Sequence, residues 1–143
     1  MKRIMVVLES SETNLWSAVH AINLAKRVGG KVYILRVLPA KKIGASMPVP
    51  ETVEAERQEK LEGLIEQGRS QGIVVDYQIS HGNYEDEVVR FIRETKVDIL
   101  VLTAPHLLRS GRRDRALSIE NIRHRVNCRI ELVSEKPDEP SRR

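Results

Sequence analysis

Four arginines crowd one short stretch of the chain: Arg109, Arg112, Arg113 and Arg115 stand around Gly111. Guanidinium groups grip phosphate or carboxylate through paired N–H donors, so this is the chain's most pointed chemical feature. The cluster follows the apolar run Ile99–Leu102. In an open α/β sheet, the loop leaving the carboxyl end of a strand is where a phosphate would be held. The plainer reading is a solvated basic loop. A second polar group, Glu9, Ser10, Ser11 and Thr13, follows the apolar run Ile4–Leu8. A carboxylate and hydroxyls there suit a ligand, and equally Ser11 or Thr13 simply caps the helix that follows.

The remaining reactive side chains do not assemble. His20, His81, His106 and His124 lack metal-ligand spacing, and no serine, histidine and acid share a nucleophile turn. Cys128 is the lone cysteine, which excludes an internal disulfide and reads as a small apolar residue before a strand. No catalytic residue, no metal and no enzymatic activity are expected. Aromatic residues make up 3% of the chain, and acids and bases interleave outside the arginine stretch. A base-stacking platform is therefore missing, and nucleic-acid binding is not expected. The net charge of +4 and the pI near 9.4 would favour anionic partners, but solubility explains them as well.

Apolar runs alternating with helical patterns must position these groups. Ile4–Leu8 and Ile99–Leu102 are continuous, as strands covered on both faces should be, and Val32–Val37, Ile73–Ile79 and Ile130–Val133 are strand-like. Leu15, Val19 and Ile22 recur at helical spacing beside Ala18, Ala21 and Ala25, and Gly29-Gly30 closes that helix. A second helix is read from about Pro50 to Gln71. Asn83 caps a third, with Glu85, Asp86 and Glu87 in its first turn and Val88, Phe91, Ile92 and Thr95 facing inward. Ser118 is read as the cap of a fourth, with Ile119, Ile122 and Val126 facing inward. Trp16 is read as a helix-packing residue. The order β-α-β-α-β-α-β-α-β calls for a Rossmann-like α/β domain, a parallel sheet with two helices on each face.

The chain has 143 residues, 41% hydrophobic and 31% charged, which suits one globular domain over 1–134. Ala40–Val49 reads as a loop and 135–143 as a poorly ordered polar tail. No apolar run approaches the roughly 20 residues that span a bilayer, and no signal pattern precedes the first strand. No membrane association and a cytoplasmic location are expected.

Three segments together resemble the universal stress protein family. IMVVLESSETNLWSAVHAINLAKRVGGKVYILRV looks like its opening strand-helix-strand, HGNYEDEVVRFIRETKVDILVLTAP like its glycine loop, helix and fourth strand, and ALSIENIRHRVNCRIELV like its last helix and strand. The likeness covers nearly all of 2–134 and weakens through Pro39–Arg69. It implies five strands in the order 3-2-1-4-5. The family's nucleotide-binding branch carries a Gly, two residues, a second Gly, nine residues, then Gly-Ser or Gly-Thr. Read without gaps, those places hold Thr103, His106, Ala116 and Leu117. Glycines there let amides approach phosphate without an obstructing Cβ, and Leu117 also lacks the hydroxyl. Toward the base and ribose, Glu9 stands in place of the family's Asp, and Gly82 matches its Gly.

The resemblance therefore implies the branch that lacks the ATP-binding motif: a stress-type regulatory protein with no cofactor, acting through protein contacts. The rival is a switch or weak ATPase that holds ATP, AMP or another anion on Arg109, Arg112, Arg113 and Arg115. A third is an accessory domain for a transporter or kinase.

The closing strand, Arg129, Ile130, Glu131, Leu132 and Val133, alternates apolar and charged residues like an edge strand with one wet face. The family commonly pairs this strand with its twofold mate, which implies a homodimer. In that pairing Arg129 would meet Glu131 of the other chain. A regulatory protein partner is expected besides.

Overall fold

The chain alternates strands and helices: β1 (Arg3–Glu9), α1 (Trp16–Val28), β2 (Lys31–Leu38), α2 (Glu51–Ser70), β3 (Val75–His81), α3 (Tyr84–Thr95), β4 (Ile99–Ala104), α4 (Arg112–Arg125) and β5 (Arg129–Ser134). This computed structural model describes residues 2–9, 15–38, 51–104 and 112–134. All strand pairings are parallel, and the five strands stand in the order β3-β2-β1-β4-β5. The 135–143 tail and the loop read over Ala40–Val49 lie outside the described residues.

Strand alternation splits the core into two layers. Ile4, Val6, Leu8, Val32, Ile34, Ile99 and Val101 bury against Ala18, Ala21, Ile22 and Ala25 of α1 and Leu61 and Ile65 of α2. Met5, Val7, Leu35, Leu100 and Leu102 bury on the opposite face against Val88, Phe91 and Ile92 of α3 and Ile119 and Ile122 of α4. Two helices thus cover each face. The alanine stripe lets α1 sit close on the sheet. It ends at Gly29, whose φ of 73° is the left-handed cap and whose N–H donates to the Ala25 carbonyl at 2.8 Å. Asn83 caps α3, its Oδ1 accepting the Asp86 N–H at 3.0 Å.

Two boundaries differ from the expectation. β3 begins at Val75 rather than Ile73, because Gly72 (φ 87°) turns the chain and leaves Val74 half exposed. α4 begins at Arg112, so Ser118 is an interior residue and not a cap. Its Oγ donates instead to Glu85 Oε2 of α3 at 2.9 Å, and Asn121 Nδ2 reaches the same oxygen at 3.3 Å. Trp16 opens α1 and is 41% exposed, only partly in the packing role expected of it.

Candidate functional site

The strand order reverses between β1 and β4, and in open α/β sheets ligands bind beyond the carboxyl ends at such a point. The register shows where the sheet opens. β1 pairs with β2 as far as Glu9↔Val37, and β4 pairs with β5 as far as Ala104↔Ser134. β1 and β4 pair only from Ile4↔Ile99 to Val6↔Val101. Val7–Glu9 and Leu102–Ala104 therefore border a cleft in which neither strand pairs the other.

Glu9 ends β1 at this cleft, and its side chain lies outside the described residues. Gly82 follows β3 on the same rim. Its φ of 141° requires glycine, and its N–H donates to the Leu38 carbonyl at 3.0 Å. A Cβ there would lie 3.4 Å from Glu87 Oε2. Glu87 accepts from Ser80 Oγ and pairs with Arg90, tying β3 and the glycine turn to α3. The Arg90 hydrogen bond, then that of Ser80, holds the Glu87 carboxyl below its ordinary value of 4.5. A depressed carboxylate stabilises the fold above its ordinary pKa, and that contribution fades as pH falls below it. Glu87→Gln is therefore expected to lower unfolding free energy by about 0.5 kcal/mol at pH 7 and by less at pH 3. Urea denaturation at the two pH values checks this.

The phosphate side differs from the expectation. Thr103 does not lie in a loop: it is inside β4, opposite Val133, and 8% exposed. Ala116 and Leu117 do not lie in a loop either, nor do Arg112, Arg113 and Arg115. All five belong to the first half of α4. Leu117 is 61% exposed. Arginine, alanine and leucine are strong helix formers, so the helix extends through this stretch. In an α-helix that starts at Arg112, the amides of Ala116 and Leu117 are already bonded to carbonyls four residues back. His106 and Arg109 lie outside the described residues, as do the side chains of Arg112, Arg113, Arg115 and Ala116.

One polar group near the cleft escaped the reading of the sequence. Ser17, in the first turn of α1, is fully buried, and its Oγ finds no hydrogen-bond partner among the described residues. An orphaned buried hydroxyl is uncommon in folded proteins. A serine near a helix start looks like capping chemistry, which is why its sequence context held no signal.

The closing strand has its own difference. Ile130 packs toward α3 and α4 while Leu132, on the same face, is 46% exposed. Glu131 does not face water as expected: its Oε1 lies 2.8 Å from His20 Nε2 of α1. Arg129 approaches Glu131 Oε2 of its own chain at 3.8 Å. α1 reaches over β5 at Glu131, while Arg129 on the same face stays exposed. Among the described residues no group of three or more His, Cys, Asp or Glu is placed to hold a metal, and no helix is long and apolar enough to cross a membrane.

Comparison with known proteins places this geometry. A model of the universal stress protein family matches residues 1–128. A universal stress protein of Methanocaldococcus jannaschii is 28% identical over 109 residues, which cover 71% of this chain and 63% of that protein. The chain thus spans less than two thirds of the length of that curated relative. A universal stress protein solved in complex with cAMP superposes with a TM-score of 0.65 at 17% identity, over 92% of this chain and 96% of the other. One from Archaeoglobus fulgidus in complex with dAMP superposes at 0.58 and 17% identity, again over 92% and 96%. Likenesses at that identity carry the fold alone.

Proposed function

The chain belongs to the universal stress protein family, and from that premise we propose that it is a cytoplasmic stress-response regulator acting through self-association and a regulatory protein partner. In this reading it neither depends on ATP nor catalyses a reaction. One observation carries it: α4 begins at Arg112, which engages the Ala116 and Leu117 amides within the helix at the place where the family's nucleotide-binding branch holds phosphate. Buried, β-branched Thr103 adds to this, since it puts a side chain where that branch has glycine.

Self-association would proceed through β5, one edge of the sheet. An edge strand offers unpaired N–H and C=O groups, and exposed Leu132 adds apolar surface to it. Glu131 is engaged by His20, so the cross-strand match of Arg129 with the partner's Glu131 is a weaker contributor than backbone pairing. Sedimentation at tens of micromolar is expected to give a dimer. A clean monomer would contradict this part of the reading.

A second reading is a nucleotide- or anion-binding switch. Two proteins of this fold were solved with cAMP and dAMP, and the start of α4 favours an anion here. Its first amides have no partner within the helix, and Arg112, Arg113 and Arg115 stand at that positive helix end. The retained Gly82 turn and the buried Ser17 hydroxyl fit this reading as well. Nucleotide binding is the measurement on which the two part.

A further inference from the structure

At the opposite rim of the sheet, where β4 and β5 begin, the ends of α3 and α4 leave a cavity of about 370 Å³. Small-ligand pockets fall in this size range. Its lining brings together Arg93, Lys96, Arg125 and Arg129, with Asp98 and Cys128 beside them. Two of the cations have structural duties. Arg93 Nη2 donates to the Arg125 carbonyl at 3.1 Å, and Arg125 Nη1 pairs with Asp86 Oδ1 at 2.9 Å. Both also complement the negative ends of their helices.

The other two are not explained that way. Lys96 is the C-cap of α3 and holds a left-handed φ of 55°, a place that glycine or asparagine fills more easily. It forms no ion pair among the described residues. Arg129 has a side chain 73% exposed, and its nearest carboxylate, Glu131 at 3.8 Å, already binds His20 at 2.8 Å. The lining holds one carboxylate, Asp98, whose Oδ2 accepts the Arg3 N–H at 2.8 Å; its single charge offsets only part of the four cations around it. The helix-end carbonyls, which would repel an anion, are partly covered by Arg93 and by the Lys96 N–H on the Ile92 carbonyl.

We propose that this cavity binds a small phosphorylated compound, held by Lys96 and Arg129 with the remaining N–H groups of Arg93 and Arg125. Guanidinium groups supply directed pairs of donors, and the lysine adds a mobile point charge. The site is on the rim opposite Glu9, Gly82 and the start of α4, so it does not depend on the reading of the nucleotide cleft. Cys128 lines the cavity, and as the chain's single cysteine it reports on this place alone.

Inorganic pyrophosphate serves as the probe, titrated into the full chain at low salt by calorimetry while alkylation of Cys128 is timed. Saturable binding is expected, together with slower alkylation. Lys96→Asn combined with Arg129→Gln should weaken binding about tenfold or more. Asparagine accepts the left-handed cap, and Arg129 is exposed, so this variant keeps the fold. Arg112→Ala with Arg113→Ala should leave pyrophosphate affinity and Cys128 protection unchanged. The proposal is overturned if no saturation occurs up to millimolar pyrophosphate. It is equally overturned if binding survives the Lys96/Arg129 variant at unchanged affinity, or if it disappears in the Arg112/Arg113 variant.

Discussion

If the proposed homodimer pairs through β5, Leu132→Pro is expected to dissociate it while leaving the subunit folded. The Arg129 N–H donates inward, to the Asp98 carbonyl at 3.1 Å. In a parallel ladder the inward donors recur every second residue, so those of Glu131 and Val133 also serve β4, and those of Ile130 and Leu132 point out from the sheet. Proline at 132 deletes an outward donor and spares the bonds to β4. Prolines are tolerated on edge strands for this reason. In a twofold pair the loss counts twice, about 1 kcal/mol each, with the ring further hindering close approach. The dimer dissociation constant should rise roughly 30- to 100-fold. Sedimentation measures the dissociation constant, and circular dichroism confirms the fold. An unchanged constant would mean that the subunits associate elsewhere.

Leu100→Ala should destabilise the subunit far more than Glu87→Gln does. Leu100 has no exposed surface and stands in the middle of β4, opposite Met5 of β1 and Ile130 of β5. Its side chain belongs to the layer beneath α3 and α4, with Val88, Ile92 and Ile122. Truncation removes buried apolar area and leaves a cavity, because neighbours fixed in a sheet collapse only partly. The expected cost is about 3 kcal/mol, or about 10 °C in melting temperature. Denaturant unfolding with an unchanged m-value checks it, and a loss below about 1 kcal/mol would show that the site relaxes.

Much of this fold was legible because local rules agreed with the tertiary structure. Gly29 and Asn83 end and start helices through backbone geometry that belongs to those residue types. The continuous run Ile4–Leu8 is short and apolar throughout, as a strand covered on both sides is, and it forms β1. The start of α4 was not legible. Ser118 looks like a cap, and nothing local reveals that its hydroxyl is taken by Glu85, 33 residues earlier. With Ser118 in that role, Arg112–Leu117 followed its own helix propensity and the arginine loop became a helical turn. The pairing of His20 with Glu131 spans 111 residues and draws Glu131 away from water, while Arg129 on the same face of β5 stays exposed as expected. The basic cavity likewise depends on two helix ends meeting across the sheet, which no short window of sequence contains. Glu9 and Gly82 were legible as rim residues because strand ends in a parallel sheet share one side.

The most direct test of the central reading is a calorimetric titration of the full chain with ATP, ADP and AMP. With the Ala116 and Leu117 amides held in α4 and Thr103 in the strand, the Lys96→Asn, Arg129→Gln variant, which lacks the basic cavity's grip, is predicted to give only heats of dilution up to about 1 mM nucleotide, the weak end of the affinity scale. Saturable micromolar binding that is lost in the Arg112→Ala, Arg113→Ala variant would contradict the account and establish the arginine-based switch in its place.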